Sequence, residues 1–264
     1  MYIVRAKKKF GQHFLTDLNI AQDIVNSLSE KQHCVLEIGA GMGVLTQFLL
    51  QRPDIKLFVV EIDAESVKYL HIYYPILKEK IIEKDFLKLE LSSIFKHSFA
   101  IIGNFPYNIS SQILFKVLEY RDFIPEIVGM FQKEVAIRIA SSPGNKNYGI
   151  LSVLLQAFYN IEYLFSVDSQ VFNPPPNVIS AVIRLVRNNV NNLGCDFQLF
   201  KQLVKTAFNQ RRKTIRNSLK TIPFTDNFTQ NPIFNKRPEQ LSVDDFVFLT
   251  MNVKNSNRVT NDEF

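Results

Sequence analysis

The sequence predicts an α/β protein, a mostly parallel, doubly wound sheet followed by a small all-helical domain. Three observations carry this. Short apolar runs that end in glycine, acidic or proline turns alternate with segments of helical spacing as far as about residue 141. A glycine-rich turn, Glu37-Ile-Gly-Ala-Gly-Met-Gly43, follows one of these runs directly. An asparagine-rich joint at residues 188–192 ends the pattern, and a cationic helical stretch follows. The expected domains are therefore residues 1–190 and 191–264.

Residues 5–17 read R-A-K-K-K-F-G-Q-H-F-L-T-D. Four cations precede an aromatic, glycine-bearing turn. Lys7, Lys8 and Lys9 are then a solvated arm or contacts to phosphates, and residues 13–15 plug the core or fold over a small ligand. Thr16 or Asp17 caps a helix to about residue 29. Strand 34–38 leads into the glycine turn and helix 44–51. Glycines at alternate positions, among them Gly39 and Gly41, let the backbone turn sharply and approach a ligand at the start of the next helix. The spacing G-x-G-x-G is neither the dinucleotide fingerprint nor a P-loop, so a triphosphate ligand is not expected. Strand 57–60 ends in Glu61-Ile-Asp63, about twenty residues past the glycines, where a carboxylate can bind both hydroxyls of a ribose. Strand 80–83 runs into Lys84-Asp85-Phe86-Leu87. There Asp85 is a turn residue or an acceptor for an adenine amino group, with Phe86 packed beside the ring.

Strand 99–103 ends in the most informative stretch, Ile101 to Ser111, I-I-G-N-F-P-Y-N-I-S-S. Pro106 forbids further ladder pairing and immediate entry into a helix, so the chain turns, leaves Asn104 at a strand's carboxyl end and restarts as helix 109–120. That sheet edge is where open α/β sheets bind ligands. The exocyclic amine of a purine is a poor nucleophile because its lone pair is delocalised. The side-chain oxygen of Asn104 and the carbonyl of Pro106 can accept both its hydrogens and favour a pyramidal nitrogen. Tyr107 offers a flat face on which an extruded base can stack, worth roughly 1–3 kcal/mol.

Strand 126–131 and helix 133–141 complete the alternation. A turn-rich loop, a helical apolar stretch at 149–159 and strand 161–167 then lead to Val171-Phe-Asn-Pro-Pro-Pro-Asn-Val178 and a last strand at 179–186. The triple proline holds an extended backbone, which makes Phe172 a candidate to close over the second face of an extruded base. Between Asp196 and Lys220 stand seven cations and one acid; Arg211, Arg212, Lys213, Arg216 and Lys220 are the candidate phosphate contacts, with Arg212, Arg216 and Lys220 at i, i+4 and i+8 of one helix face. A final helix is expected at 238–252, then a disordered polar tail at 254–264.

Composition narrows the function classes. Thirty-one Lys and Arg against 25 Asp and Glu give a net charge of +6, which mildly favours an anionic partner. The two cysteines, Cys34 and Cys195, lie far apart without a C-x-x-C spacing, and no secretory signal is present, so a reducing cytoplasm is expected. No apolar run reaches membrane-spanning length, and four scattered histidines offer no metal cage.

Taken together the motifs resemble the KsgA family of small-subunit ribosomal RNA adenine dimethyltransferases. F-G-Q-H-F-L (10–15), E-I-G-A-G-M-G, V-V-E-I-D, K-D-F-L, G-N-F-P-Y-N-I-S, Q-K-E-V (132–135), Y-G-I-L-S-V (148–153), V-F-N-P-P-P-N-V-I-S-A-V-I-R-L and A-F-N-Q-R-R-K-T-I-R-N-S-L occur in order over residues 5–250. The resemblance implies a class I methyltransferase fold with S-adenosylmethionine as cofactor. It implies N6,N6-dimethylation of two adjacent adenosines in a hairpin loop near the 3′ end of 16S rRNA in the immature 30S subunit. Carried over by position, it makes His13, Leu15, Gly39, Glu61, Asp85 and Asn104 cofactor residues, and Asn104, Pro106 and Tyr107 the target-adenine motif. His13 stands where the family more commonly has Asn, and Phe105 where it has Leu. The 23S rRNA methyltransferases of macrolide resistance share such motifs, but Y-G-I-L-S-V and A-F-N-Q-R-R-K-T favour the small-subunit enzymes. A monomer working without metal is expected. A protein acting chiefly as a ribosome-assembly factor is the alternative of a different class.

Overall fold

The computed structural model describes residues 4–254, so the tail expected to be disordered lies outside the described residues from 255 onward. The chain forms two compact units. One takes the chain up to Ala140 together with Phe158–Asn189, and the other takes Ser141–Ala157 and the chain from Val190 onward. The boundary expected at residue 190 is thus one of three crossings. The apolar helix of 150–156 groups with the second unit, where its buried face finds partners.

In the first unit, β1 (Phe14–Leu15) precedes α1 (Leu18–Asn26), which Asp17 caps by accepting the N–H groups of Asn19 and Ile20 at 2.9 and 3.2 Å. There follow β2 (Cys34–Ile38), α2 (Thr46–Leu49), β3 (Lys56–Glu61), α3 (Ala64–Tyr73), β4 (Ile81–Glu83), α4 (Leu91–Ile94), β5 (Ala100–Asn104), α5 (Ser110–Glu119), β6 (Glu126–Gln132) and α6 (Lys133–Ala140). β7 (Tyr159–Val167), β8 (Phe172–Asn173) and β9 (Ser180–Arg187) close the unit. Seven strands form one sheet in the order β4-β3-β2-β5-β6-β9-β7. The pairs from β4 to β6 are parallel, and β9 pairs antiparallel with both β6 and β7. The central strands are near-continuous apolar runs because both faces are covered. Glu126, buried at the start of β6, has its carboxylate satisfied by Arg184 Nε at 2.7 Å and by the hydroxyl and N–H of Ser29 at 2.6 and 3.1 Å.

The order of the sheet positions the site. From β2 the chain steps outward to β3 and β4, then returns to place β5 on the other side of β2, so the direction reverses between β2 and β5. Parallel register puts the carboxyl ends of all four strands on one edge, the crevice where open α/β sheets bind ligands. A separate two-stranded ladder pairs Phe14 with Asn173 and Leu15 with Phe172.

The second unit is helical: α7 (Ile150–Gln156), α8 (Phe197–Asn209), α9 (Ile215–Ser218) and α10 (Val243–Met251). Among its described residues the β-structure is an isolated bridge between Phe224 and Val253. Its core holds Phe200, Leu203, Val204, Ala207, Ile215 and Phe246. Ser242 and Asp245 form a reciprocal cap at the start of α10, each accepting the other's N–H at 3.0 Å.

Candidate active site

In the first unit the strand ends line a cavity of about 310 Å³. Gly39 and Gly41 from the glycine turn, Glu61, Asp85 and Phe86, and Asn104 with Pro106 and Tyr107 face it, as does His13 from the N-terminal segment. A second cavity of about 360 Å³ shares Phe14, Gly39 and Asn104 with the first and contains Leu15 and Glu37. The structure therefore brings together every residue read as a cofactor or adenine contact except Phe172.

The glycine turn needs its glycines. Gly41 has φ +56°, and a methyl group there would lie 2.8 Å from the Phe14 ring, which packs against the turn. The Glu61 carboxylate is buried and already holds the turn, with Oε2 accepting from Gly41 N at 2.9 Å and Oε1 from Ile62 N and Asp63 N at 2.8 and 2.9 Å. Burial pushes its pKa up against the pull of these three N–H donors. A carboxylate has about four acceptor positions, so one remains for hydroxyl groups in the cavity. Its neighbour Glu37 is fully buried and takes a hydrogen bond from Thr46 Oγ1 at 2.6 Å. Burial, reinforced by the charge of Glu61, pushes Glu37 up to about 7.

Asp85 starts a short turn of helix at Phe86–Lys88, its Oδ1 accepting Leu87 N at 2.9 Å. That turn is braced by Lys116 of α5, whose ammonium donates to the carbonyls of Leu87 (3.0 Å) and Leu89 and lies 5.4 Å from the Phe86 ring centre. Burial lowers the pKa of Lys116. Sequence inspection missed this lysine because its partners are carbonyls, which leave no mark in the sequence.

At the end of β5, Asn104 Nδ2 donates to the backbone oxygen of His13 at 2.9 Å, so its Oδ1 is the acceptor left for the cavity. The Pro106 carbonyl accepts Ile109 N at 3.1 Å with one of its two lone pairs. Tyr107 hydrogen-bonds Ser180 through its hydroxyl and stacks on the His13 ring, with centroids 5.7 Å apart and planes 22° apart. Burial raises its pKa. His13 Nδ1 donates to the Pro174 carbonyl at 2.7 Å, which fixes the ring beneath the tyrosine. Leu15 is buried and held by its ladder to Phe172.

Three expectations are corrected. Phe172 does not face the cavity: pairing of β8 with β1 turns it into the apolar core, where it is 3% exposed among residues such as Leu15, Ala21 and Val182. Lys7 is not free for phosphates, since its ammonium lies 2.5 Å from Asp63 Oδ1 and 3.0 Å from Glu65 Oε1; Lys8 and Lys9 are exposed. Arg212, Arg216 and Lys220 do not share one helix face. α8 stops at Asn209, Gln210 leaves helical geometry at ψ 45°, and α9 begins after Thr214 in extended backbone, so the like-charged run 211–213 occupies a turn. In that second unit Arg212, Lys213, Arg216 and Lys220 are exposed. Arg211 is half-buried, bonded to the Lys146 carbonyl and 3.9 Å from Glu239. Among the described residues no group of three or more His, Cys, Asp or Glu could hold a metal ion, and no helix is long and apolar enough to cross a membrane.

Residues 3–248 match the family model described as ribosomal RNA adenine dimethylase. The ribosomal RNA small subunit methyltransferase A of Bacteroides fragilis is 57% identical over 262 residues, 98% of this chain and 96% of the relative. That of Parabacteroides distasonis is 59% identical over 254 residues, 95% of each. Among solved structures, a dimethyladenosine transferase from Plasmodium falciparum superposes with a TM-score of 0.74 at 25% identity, covering 90% of this chain and 96% of that one. The 23S rRNA methyltransferase ErmE gives 0.67 at 24% identity, covering 90% and 100%, a likeness of fold.

Proposed function

Because the chain belongs to the ribosomal RNA adenine dimethylase family, we propose that it dimethylates N6 of two adjacent adenosines in the 3′-terminal hairpin loop of 16S rRNA, with S-adenosylmethionine as donor. Its substrate is the immature 30S subunit in the cytoplasm, and it works as a monomer. The observation that carries this reading is the orientation of Asn104, whose amide nitrogen is anchored by donating one hydrogen to the His13 carbonyl while its oxygen is left as an acceptor on the cavity.

The cavity suits the donor on its own chemistry: a glycine turn without room for a Cβ at Gly41, the one acceptor position left on the Glu61 carboxylate for a ribose hydroxyl, and Asp85 with Phe86 for an adenine edge and face. His13, Leu15 and Gly39 would hold the amino-acid end. When bound, S-adenosylmethionine supplies a methyl group activated by a positively charged sulfur.

The chain's own residues then have a positioning task. Asn104 Oδ1 and the free lone pair of Pro106 O accept the two hydrogens of the target amine and expose its lone pair. Tyr107, held from behind by His13 and at its hydroxyl by Ser180, offers its other face to the base. The base must leave its stack to reach this position, as in other base-modifying enzymes. The alkylated nitrogen becomes acidic and loses its proton to water, so placement does most of the work. The exposed cations of the second unit would contact the phosphate backbone.

The test is transfer of labelled methyl groups from S-adenosylmethionine to 30S subunits from a strain lacking the native enzyme, beside naked 23S rRNA. Label in the 30S subunits is expected. Label confined to 23S rRNA would replace this reading with the large-subunit one.

A further inference from the structure

Asp63 lies two residues beyond Glu61 and caps α3 by accepting Glu65 N at 3.3 Å, yet its carboxylate does more than a helix cap requires. It is 2% exposed and receives Lys7 Nζ at 2.5 Å, Gln12 Nε2 at 3.1 Å and Ser66 Oγ at 3.4 Å. Burial alone would raise its pKa, but the Lys7 ammonium and the Gln12 amide bring it below the ordinary value. The other end of the Gln12 amide accepts Lys7 N at 2.8 Å, so Lys7, Gln12 and Asp63 form a closed triangle, with Glu65 3.0 Å from the same ammonium.

The segment held this way forms one wall of the 310 Å³ cavity, where Lys9, Phe10, Gly11, Gln12 and His13 face Glu61 and Asp85. It also abuts the target-adenine motif: Gly11 has φ +62°, and a Cβ there would lie 2.6 Å from Asn108 Oδ1. Its far end is fixed by Asn104 on the His13 carbonyl and by the ladder of β1 to β8. Its near end is held by the Asp63 triangle and, three residues earlier, by the buried side chain of Val4. A buried carboxylate deprived of its ammonium is costly, so the pair resists opening and keeps the wall in place.

We propose that the Lys7–Asp63 pair is a strap that seats residues 7–13 against the nucleoside part of the cofactor, with Lys7 and Asp63 as positioning residues. This rests on the reading of the cavity as the S-adenosylmethionine site. Lys7 accordingly belongs to cofactor capture, whereas a phosphate contact would place it with RNA.

The experiment titrates S-adenosylhomocysteine into wild type, Lys7→Met, Lys7→Arg, Asp63→Asn and the Lys7→Met/Asp63→Asn double variant by calorimetry. Methyl-transfer kinetics and the salt dependence of binding to a 16S hairpin RNA are measured on the same proteins. Lys7→Met is expected to weaken S-adenosylhomocysteine roughly tenfold, a coupling of ordinary size, and to raise the cofactor KM while kcat at saturation is kept. Lys7→Arg is expected to restore affinity, and the double variant to bind no worse than Asp63→Asn. The salt slope for RNA stays unchanged. If Asp63→Asn does not fold, the comparison of Lys7→Met with Lys7→Arg decides alone. Wild-type cofactor affinity in Lys7→Met, with a shallower salt slope, would overturn the strap and return Lys7 to the RNA contacts. Failure of the wild type itself to bind S-adenosylhomocysteine would overturn the cofactor reading beneath it.

Discussion

Asn104 and His13, 91 residues apart, are joined by a 2.9 Å hydrogen bond from the carboxamide nitrogen to a backbone carbonyl. The bond decides which end of the amide is left for the cavity. A carboxamide free to rotate would present donor and acceptor alike to the target amine. This one is held in a single orientation, its nitrogen tied to His13 and its oxygen available to accept.

Asn104→Ala is therefore expected to slow methyl transfer by about 10²-fold or more, the size of effect seen when one preorganised hydrogen-bonding group at a reacting centre is removed. Single-turnover assays on 30S subunits measure it. The same variant in a strain lacking the native enzyme separates chemistry from assembly, since full rescue of subunit maturation without methylation would favour the assembly-factor alternative.

Gly41→Ala combines a left-handed backbone, costing about 1–2 kcal/mol for a residue with a Cβ, with a contact 2.8 Å from the Phe14 ring. The variant is expected to melt earlier and to lose cofactor affinity more than tenfold. Calorimetry with S-adenosylhomocysteine checks both. A normal affinity would show that the turn does not touch the ligand.

These two positions show how much could be read without the fold. The glycine turn, Glu61 and the Asn-Phe-Pro-Tyr stretch carry their chemistry in consecutive residues, and the alternation of apolar runs with helical spacing implied one sheet edge for all of them. Phe172 and Lys7 were misread because their environment comes from partners far along the chain, Leu15 for the one and Asp63 for the other. The break between α8 and α9 was missed because helical periodicity persists in the apolar residues on both sides of the turn. Lys116 gave no sign at all, its partners being carbonyls.

Glu37 gives a pH signature. Its pKa in the folded chain is about 7, against 4.5 for an ordinary glutamate, so between those values the folded state binds more protons than the unfolded one. Stability linked to this group is complete below 4.5 and is lost as pH rises through 7, a loss of up to about 3 kcal/mol. Glu37→Gln keeps an acceptor for Thr46 and removes the titration. Urea denaturation at pH 5 and pH 8 is expected to show a smaller fall in stability for the variant than for wild type.

The cations of the second unit divide into two kinds. Removing Arg212, Lys213, Arg216 or Lys220 is expected to reduce the slope of log affinity against log salt by roughly 0.7–0.9 for each phosphate left without its cation. Arg211→Ala is expected to leave the slope unchanged and to lower the melting temperature, because its guanidinium is engaged with the Lys146 carbonyl. Filter binding over a salt series, with thermal melts, distinguishes the two.

The proposed activity meets its sharpest test in the nucleoside composition of the 3′-terminal fragment of 16S rRNA after undermethylated 30S subunits react with the purified protein and S-adenosylmethionine. Liquid chromatography with mass spectrometry is expected to find N6,N6-dimethyladenosine at two adjacent positions in the hairpin loop. An unmodified fragment, from a protein that binds S-adenosylhomocysteine normally, would contradict it.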